Sequence, residues 1–210
     1  MPVTQSATAD SPPAQTRLIL ASSSRYRREL LARLRLPFES ISPDVDETPQ
    51  PGEAPAALAL RLSEAKAHVI AARHPDALVI GSDQVATIDG SPIGKPGDFA
   101  RAHAQLTQLS GREVEFHSAM AVTDGTRTER VDVVTRCRFR VLTPAAITAY
   151  LHAEAPYDTA GSAKAESLGI ALMDRIESDD PTAIIGLPLI ALTRILAGFG
   201  WDPLDRAGQA

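Results

Sequence analysis

Cysteine is almost absent: the chain has one, Cys137, in 210 residues. A single thiol makes no internal disulfide, and this usage fits a reducing cytoplasm. Cys137 sits in the alternating run Thr135–Arg140, which reads as a strand, so its expected role is packing rather than nucleophilic attack. Aromatic residues are scarce at 4%. Leu, Ile, Val and Ala must therefore build the core, and few rings are left to stack on nucleic-acid bases. Positive charge is not in excess; the formal net charge of -5 argues against a nucleic-acid or anionic-membrane binder. No apolar run reaches the roughly 20 residues that a membrane-spanning helix needs. None of the five histidines, at 68, 74, 103, 117 and 152, is spaced as a zinc pair, and H-E-x-x-H is missing. A P-loop is missing too. Gly94-Lys95 has no glycine five residues earlier, and Pro96 stands where Ser or Thr is required.

Hydrophobic residues at 44% and charged residues at 22% are ordinary for a globular chain long enough to bury a core. Residues 1–16 are rich in Ala, Ser, Thr, Pro and Gln and contain no apolar segment of a secretory signal; they read as a disordered extension. From Arg17 the pattern is regular. Leu18 to Ala21 is a short buried strand, and the helix after it carries Leu30, Leu31 and Leu34 before Pro37 stops it. Residues 38–41 form another strand, followed by a Pro- and acid-rich loop to Pro55. Leu58, Leu62, Ala65 and Val69 mark a helix over about 56–73. Residues 77–81 read as a central strand, and 85–88 continue as strand to a turn at Asp89-Gly90. A helix over 98–109 precedes a long hairpin, 113–123 with 128–141, turning at Asp124-Gly125. Thr143-Pro144 opens another helix by the cap-then-proline rule. The last helix starts at Pro188 and buries Leu189, Leu192, Ile195 and Leu196. Hairpins mixed with alternating helices predict an α/β fold with a mixed sheet, and no internal repeat is visible.

Six segments carry residues suited to chemistry. Ser22-Ser23-Ser24 runs into a helix start, and residues 17–35 hold six arginines against one acid, Glu29. Free backbone N–H groups, hydroxyls and guanidinium groups make an anion site; a capped, solvated helix would show the same residues. Asp44-Val45-Asp46-Glu47 could supply oxygen ligands to Mg²⁺ or Mn²⁺, or be a solvated acidic loop. Lys66 lies on the apolar face of its helix, where it either snorkels outward or reaches into a site. Asp83, in Gly81-Ser82-Asp83-Gln84, follows an apolar strand run. A carboxylate is poorly suited to a strand interior, so it is expected at a strand end with a metal, a base or N–H donors as partner. Lys95, between Gly94 and Pro96, sits on stiff bare backbone with a defined reach. In Ala160–Gly169, small residues and two glycines imply backbone that passes close to something, and Glu166 is either a ligand-reading acid or a solvated one.

Taken in order, these segments resemble the Maf family of nucleotide pyrophosphatases. The resemblance runs from about Arg17 to Leu204, leaving 205–210 as a tail, and makes 17–204 a single domain. It rests on Leu20-Ala21-Ser22-Ser23-Ser24 with Arg27-Arg28, Val45-Asp46-Glu47-Thr48, Lys66, Ser82-Asp83-Gln84, Gly94-Lys95-Pro96 and Gly186-Leu187-Pro188-Leu189. Asp83-Gln84 and Gly161–Glu166 are similar to the branch acting on 7-methyl-GTP; the dTTP/UTP branch tends to have Asp-Thr at the first place and Gln at the second. Two departures stand out. The family usually has Pro at Arg25, and the 7-methyl-GTP branch commonly has Trp at Tyr26, where this chain keeps an aromatic face.

The resemblance implies an elongated mixed sheet with flanking helices, two lobes around a central cleft of the Maf/ITPase-like kind, and a homodimer as a common state. It implies hydrolysis of a nucleoside triphosphate to monophosphate and pyrophosphate; the acidic loop adds Mg²⁺ or Mn²⁺ as the expected cofactor, the cysteine usage a cytoplasmic location, and the net charge and the lack of a long apolar run no stable nucleic-acid or membrane partner. By the resemblance Asp83 is the proton acceptor and Tyr26, Gln84 and Glu166 set base specificity; the chemistry of a shielded triphosphate then assigns Ser22, Ser24, Arg27, Lys66 and Lys95 to the phosphates and Glu47, with Asp83, to the metal. The alternatives are a dTTP/UTP pyrophosphatase of the same family, or a non-catalytic nucleotide- or RNA-binding regulator of cell division.

Overall fold

The structure, a computed structural model, describes residues 17–207. The expected N-terminal extension, 1–16, lies outside the described residues, as do residues 208–210 of the tail. The element order is β1 (Arg17–Ala21), α1 (Arg25–Ala32), β2 (Glu39–Ile41), α2 (Pro55–Ala71), β3 (Ala77–Ile88), β4 (Ser91–Ile93), α3 (Phe99–Leu109), β5 (Glu113–Thr123), β6 (Thr128–Phe139), α4 (Pro144–Glu154), β7 (Met173–Ser178), α5 (Leu189–Gly198) and α6 (Pro203–Ala207). Short 3-10 turns at 160–162, 168–172 and 183–185 connect them. The last helix, α6, straddles the domain boundary expected at 204/205.

Among the described residues the sheet has seven strands in the order β2-β1-β3-β5-β6-β7, with β4 also beside β3. β1 pairs in parallel with β2 and β3, while the β3–β5, β5–β6 and β6–β7 pairs are antiparallel. The sheet is mixed, as the alternation of elements predicts. Two strand signals escape a reading of the sequence. β4 is three residues long, and β7, Met-Asp-Arg-Ile-Glu-Ser, is an edge strand with exposed charges. Charged, short edge strands discourage edge-to-edge aggregation, and they lack the apolar run that marks a central strand.

The core falls into blocks on either side of a cleft. One packs β1, α1 and α5 around Leu20, Leu31, Ile80, Met120, Leu192 and Leu196. Another packs α3 and α4 against Phe116, Cys137 and Phe139 at the far end of β5 and β6. Cys137 is buried there, and burial pushes its thiol up to about 12, so it is inert packing as its surroundings in the sequence suggest. Cores at both ends of shared strands define two lobes.

β3 joins the lobes. Its first half pairs with β1 as far as Ala21↔Gly81, and its last residues pair with β4 from Ala86↔Ile93. Between these two partners, residues 82–85 have no strand on that edge, and there the cleft opens. This corrects the expectation that Asp83 ends a strand. It lies in the middle of a twelve-residue strand, opposite Ala119 of β5. The carboxylate is tolerated because it projects from the same face of β3 as Gly81, the face that α2 covers, and the Lys66 ammonium of α2 meets it there.

Candidate active site

The cleft has a volume of about 710 Å³. Its lining includes the ten residues given roles above, Ser22, Ser24, Tyr26, Arg27, Glu47, Lys66, Asp83, Gln84, Lys95 and Glu166, but not Arg28, nor Asp44 and Asp46 of the acidic segment. They come from segments spread across 145 positions of chain, from Ser22 to Glu166.

At the centre, Lys66 Nζ lies 2.6 Å from Asp83 Oδ1 and 2.6 Å from Glu47 Oε1. Lys66 is 5% exposed and Asp83 8%. Lys66 therefore reaches inward rather than snorkelling. A lysine on the apolar face of α2 is stable because its ammonium bonds a carboxylate at the sheet. Gly81 permits the approach: a Cβ there would stand 2.1 Å from Ser63 O and 2.6 Å from Ala67 N of α2. Only a glycine lets the helix backbone lie this close to β3, one turn from Lys66.

The loop bearing Glu47 is anchored to α2 by Arg61. Its guanidinium donates to both carboxylate oxygens of Glu53 (2.6 and 2.8 Å) and to Thr48 O (3.1 Å). The Arg61 bond pulls the Glu53 carboxyl down to about 2. Burial raises the Glu47 carboxyl, but Lys66 and then Lys95 and Arg27 together hold it below its ordinary value. Glu47 thus stays ionised further into acid than a free glutamate.

Ser24 caps α1, its Oγ accepting from Arg27 N, and Ser22 Oγ accepts from Ser24 N. Both hydroxyl oxygens are engaged in shaping the turn, so toward an anion they have their protons to offer. Arg27 Nε donates to Gly186 O at 2.9 Å, and Ser82 Oγ donates to the same carbonyl at 3.0 Å. Burial lowers the Arg27 pKa while Asp83 and Glu47 oppose the shift, and the guanidinium keeps its charge. Lys95, exposed on the loop after β4, lines the cleft within electrostatic reach of Glu47.

Tyr26, Gln84 and Glu166 also line the cleft. The Arg25 guanidinium lies 4.7 Å from the Tyr26 ring centroid and donates to its hydroxyl at 2.8 Å. This ring face already holds a cation. Glu166 is exposed on the 160–169 loop, yet partial burial raises its carboxyl above the usual range. The loop's glycines do pass close to other atoms. A Cβ at Gly169 would meet the Lys164 backbone at 2.4 Å, and one at Gly161 would meet the Phe116 ring at 3.2 Å. Lys164 Nζ and Glu154 tie the loop to the end of α4, through Glu154 O, Ser167 Oγ and Leu168 N.

One residue that shapes the site carries no signal in the sequence. Asp180 is 2% exposed. Its oxygens accept from Thr182 N and Oγ1 and from Ile190 N and Ala191 N. It caps α5, whose formal cap is Pro188, and holds the turn that presents Gly186 O to Arg27. An Asp-Asp-Pro run reads only as a turn. Replacing Asp180 by Ala leaves buried donors without an acceptor, so we expect a loss of about 2–4 kcal/mol. Denaturant unfolding measures it; a loss below the error of the method would show that Asp180 is not this anchor.

The mixed-sheet α/β fold thus encloses a small-molecule cleft lined by four cationic side chains, Arg25, Arg27, Lys66 and Lys95, and four carboxylates, Glu47, Asp83, Asp158 and Glu166. Residues 17–199 match the family model described as Maf-like protein, and the chain belongs to that family. A protein of Bordetella pertussis named 7-methyl-GTP pyrophosphatase is 78% identical over 193 residues, covering 92% of this chain and 97% of its own. One of the same name from Burkholderia thailandensis is 62% identical over 199 residues, covering 92% and 93%. Among solved structures, the Staphylococcus aureus Ham1 protein overlaps 59% of this chain and 71% of its own at 17% identity and a TM-score of 0.42, a partial likeness only. No helix among the described residues is long and apolar enough to cross a membrane.

Proposed function

We propose that this chain hydrolyses a nucleoside triphosphate, 7-methyl-GTP foremost, to the monophosphate and pyrophosphate. The observation that carries this reading is a buried carboxylate, Asp83, sharing a cleft with Arg27, Lys66 and Lys95. The names of the relatives at 78% and 62% identity support the substrate.

A triphosphate brings about four negative charges, and phosphoryl transfer is catalysed mainly by positioning and charge neutralisation. Arg27, Lys66, Lys95 and the hydroxyls of Ser22 and Ser24 supply donors and positive charge along the phosphates. Water attacks the α-phosphorus, the α–β anhydride bond breaks and pyrophosphate leaves. Asp83 takes the proton from the water. Oδ1 is bonded to Lys66, which leaves Oδ2 for the proton.

The residues also fit a divalent cation. Glu47 and Asp83 converge on one point, now held by the Lys66 ammonium, and two carboxylates plus substrate phosphates and water are a usual shell for Mg²⁺ or Mn²⁺. No group of three or more His, Cys, Asp or Glu suited to a metal occurs among the described residues, so the substrate has to complete the shell. When bound, the cation adds positive charge at the phosphate oxygens.

N7-methylation makes guanine cationic. Arg25 holds one face of the Tyr26 ring, so a cationic base would stack on the other, and an ionised Glu166 accepts from the N1–H and N2–H edge while offsetting the charge. We expect Glu166→Gln to lower the kcat/KM ratio of 7-methyl-GTP over UTP about tenfold or more, the worth of a charged hydrogen bond. The sign with pH follows from its raised pKa. Below that value Glu166 is neutral, so the preference for the cationic base grows as pH rises through it, and Glu166→Gln flattens the profile. A ratio unchanged by the substitution at all pH values would remove Glu166 from this role.

The deciding assay incubates the purified chain with Mg²⁺ or Mn²⁺ and a panel of canonical and modified triphosphates, detecting pyrophosphate and orthophosphate separately. Pyrophosphate release fastest from 7-methyl-GTP is expected. Fastest release from dTTP or UTP would favour the sister branch, and tight binding with no release would favour a non-catalytic binder.

A further inference from the structure

The amide of Gln84 is wired into the protein on one side only. Its Nε2 lies 2.9 Å from Ser118 Oγ, 3.1 Å from Ala183 O and 3.1 Å from Ile184 O. Two of these partners are carbonyls, which only accept. The third is a hydroxyl, but Ser118 has one proton and gives it to Ala183 O at 2.7 Å. Ser118 Oγ therefore also meets Gln84 as an acceptor. Three acceptors on one side force the NH₂ group to face them, which settles the amide orientation by chemistry. Both amide hydrogens are consumed, and Oε1, which takes part in none of these bonds, is what Gln84 can offer to the cleft it lines.

Ser118 itself is fully buried in β5 and does not line the cleft. It faces Gln84 across the β3–β5 pair, at the register position Gln84↔Ser118.

We propose that Ser118 is a specificity-determining positioning residue: with the carbonyls of Ala183 and Ile184 it locks Gln84 as an acceptor, so that the base end of the cleft selects a base edge rich in N–H donors. This rests on the nucleotide pyrophosphatase reading above. Glu166 lines the same cleft and accepts when ionised, while the Arg25 guanidinium that also lines it is engaged with the Tyr26 hydroxyl. Guanine offers N1–H and N2–H together. Uracil offers a single N–H flanked by two carbonyl oxygens, which would meet acceptors and leave polar groups unpaired. Sites built around fixed hydrogen-bond polarity discriminate strongly for this reason.

The test compares Ser118→Ala, Gln84→Met and the double variant. The readout is the kcat/KM ratio of 7-methyl-GTP to UTP, with GTP as a neutral guanine control. Ser118→Ala is expected to lower the ratio about three- to tenfold, for both guanine nucleotides, through loss of one restraining hydrogen bond. Because Ser118 acts through Gln84, the double variant should fall no lower than Gln84→Met alone. A merely structural role would scale all nucleotides equally and leave the ratio unmoved. That result, or additive effects in the double variant, overturns the proposal. If the unsubstituted chain releases no pyrophosphate, the enzymatic reading fails by itself. The same ratio is then read as dissociation constants by calorimetry, where an effect of Ser118→Ala supports the proposal and its absence overturns it.

Discussion

Asp83→Asn is expected to lower kcat about 10²–10⁴-fold, the usual contribution of a positioned base. The substitution keeps shape and removes the basic oxygen. The fold should survive, since the Lys66 ammonium keeps Glu47 as a partner at 2.6 Å. Circular dichroism and a melting curve close to those of the unsubstituted chain would separate lost chemistry from lost structure. Turnover within a few-fold of normal would falsify the assignment of Asp83 as proton acceptor. The assignment is otherwise economical: Asp83 is a nearly buried carboxylate at the cleft, in the stretch of β3 left open between β1 and β4.

Gly81→Ala is expected to be among the most damaging single-methyl changes at the described residues. The added Cβ would sit 2.1 Å from Ser63 O, 2.6 Å from Ala67 N and 3.0 Å from Ala67 Cβ. The first two are helix backbone, so no side-chain rotation relieves the clash and α2 has to move as a body. Overpacking of this kind costs about 3 kcal/mol or more, which corresponds to roughly 10 °C in Tm for a chain of this size. The shift also carries Lys66 away from Asp83. A displacement of about 1 Å at a reacting centre can cost 10²-fold, so the residual folded protein should be slow as well as fragile. Gly94→Ala is the packing control, because nothing lies within 4 Å of a Cβ there. Its Tm should change little. Equal melting temperatures for Gly81→Ala and the unsubstituted chain would mean that α2 does not lie on β3 as described.

These predictions draw on one arrangement: a sheet that is continuous on one edge of β3 and broken on the other, with a helix pressed onto it at a glycine. The cationic groups are held from outside the cleft. Arg27 is oriented by Gly186 O, which Asp180 and Thr182 fix through the turn before α5. Lys66 is oriented by α2, and the Glu47 loop by Arg61. Rigid supports of this kind let charged groups meet a substrate with little reorganisation.

Much of this was legible in the residues alone. Period and capping marked the helices, and Thr143 does cap α4 as its place before Pro144 suggests; Asp98, read as helical, instead caps α3. Composition named the core builders, and the lone cysteine was readable as packing. Residue type and order also picked out side chains that line a single cleft, because a lysine on an apolar helix face and an aspartate in an apolar strand are each costly without a partner. What stayed hidden depended on who that partner is. Nothing local places Lys66 against Asp83, 17 positions away, or Ser82 against Gly186, 104 positions away. The mid-strand position of Asp83, the edge strand β7, the capping of α5 by Asp180, the contact at Gly81 and the polarity that Ser118 imposes on Gln84 arise only when distant segments pack. Local sequence sets conformational preference and the cost of burying each group; tertiary structure alone decides which opposite group offsets that cost, and therefore where the chemistry can be.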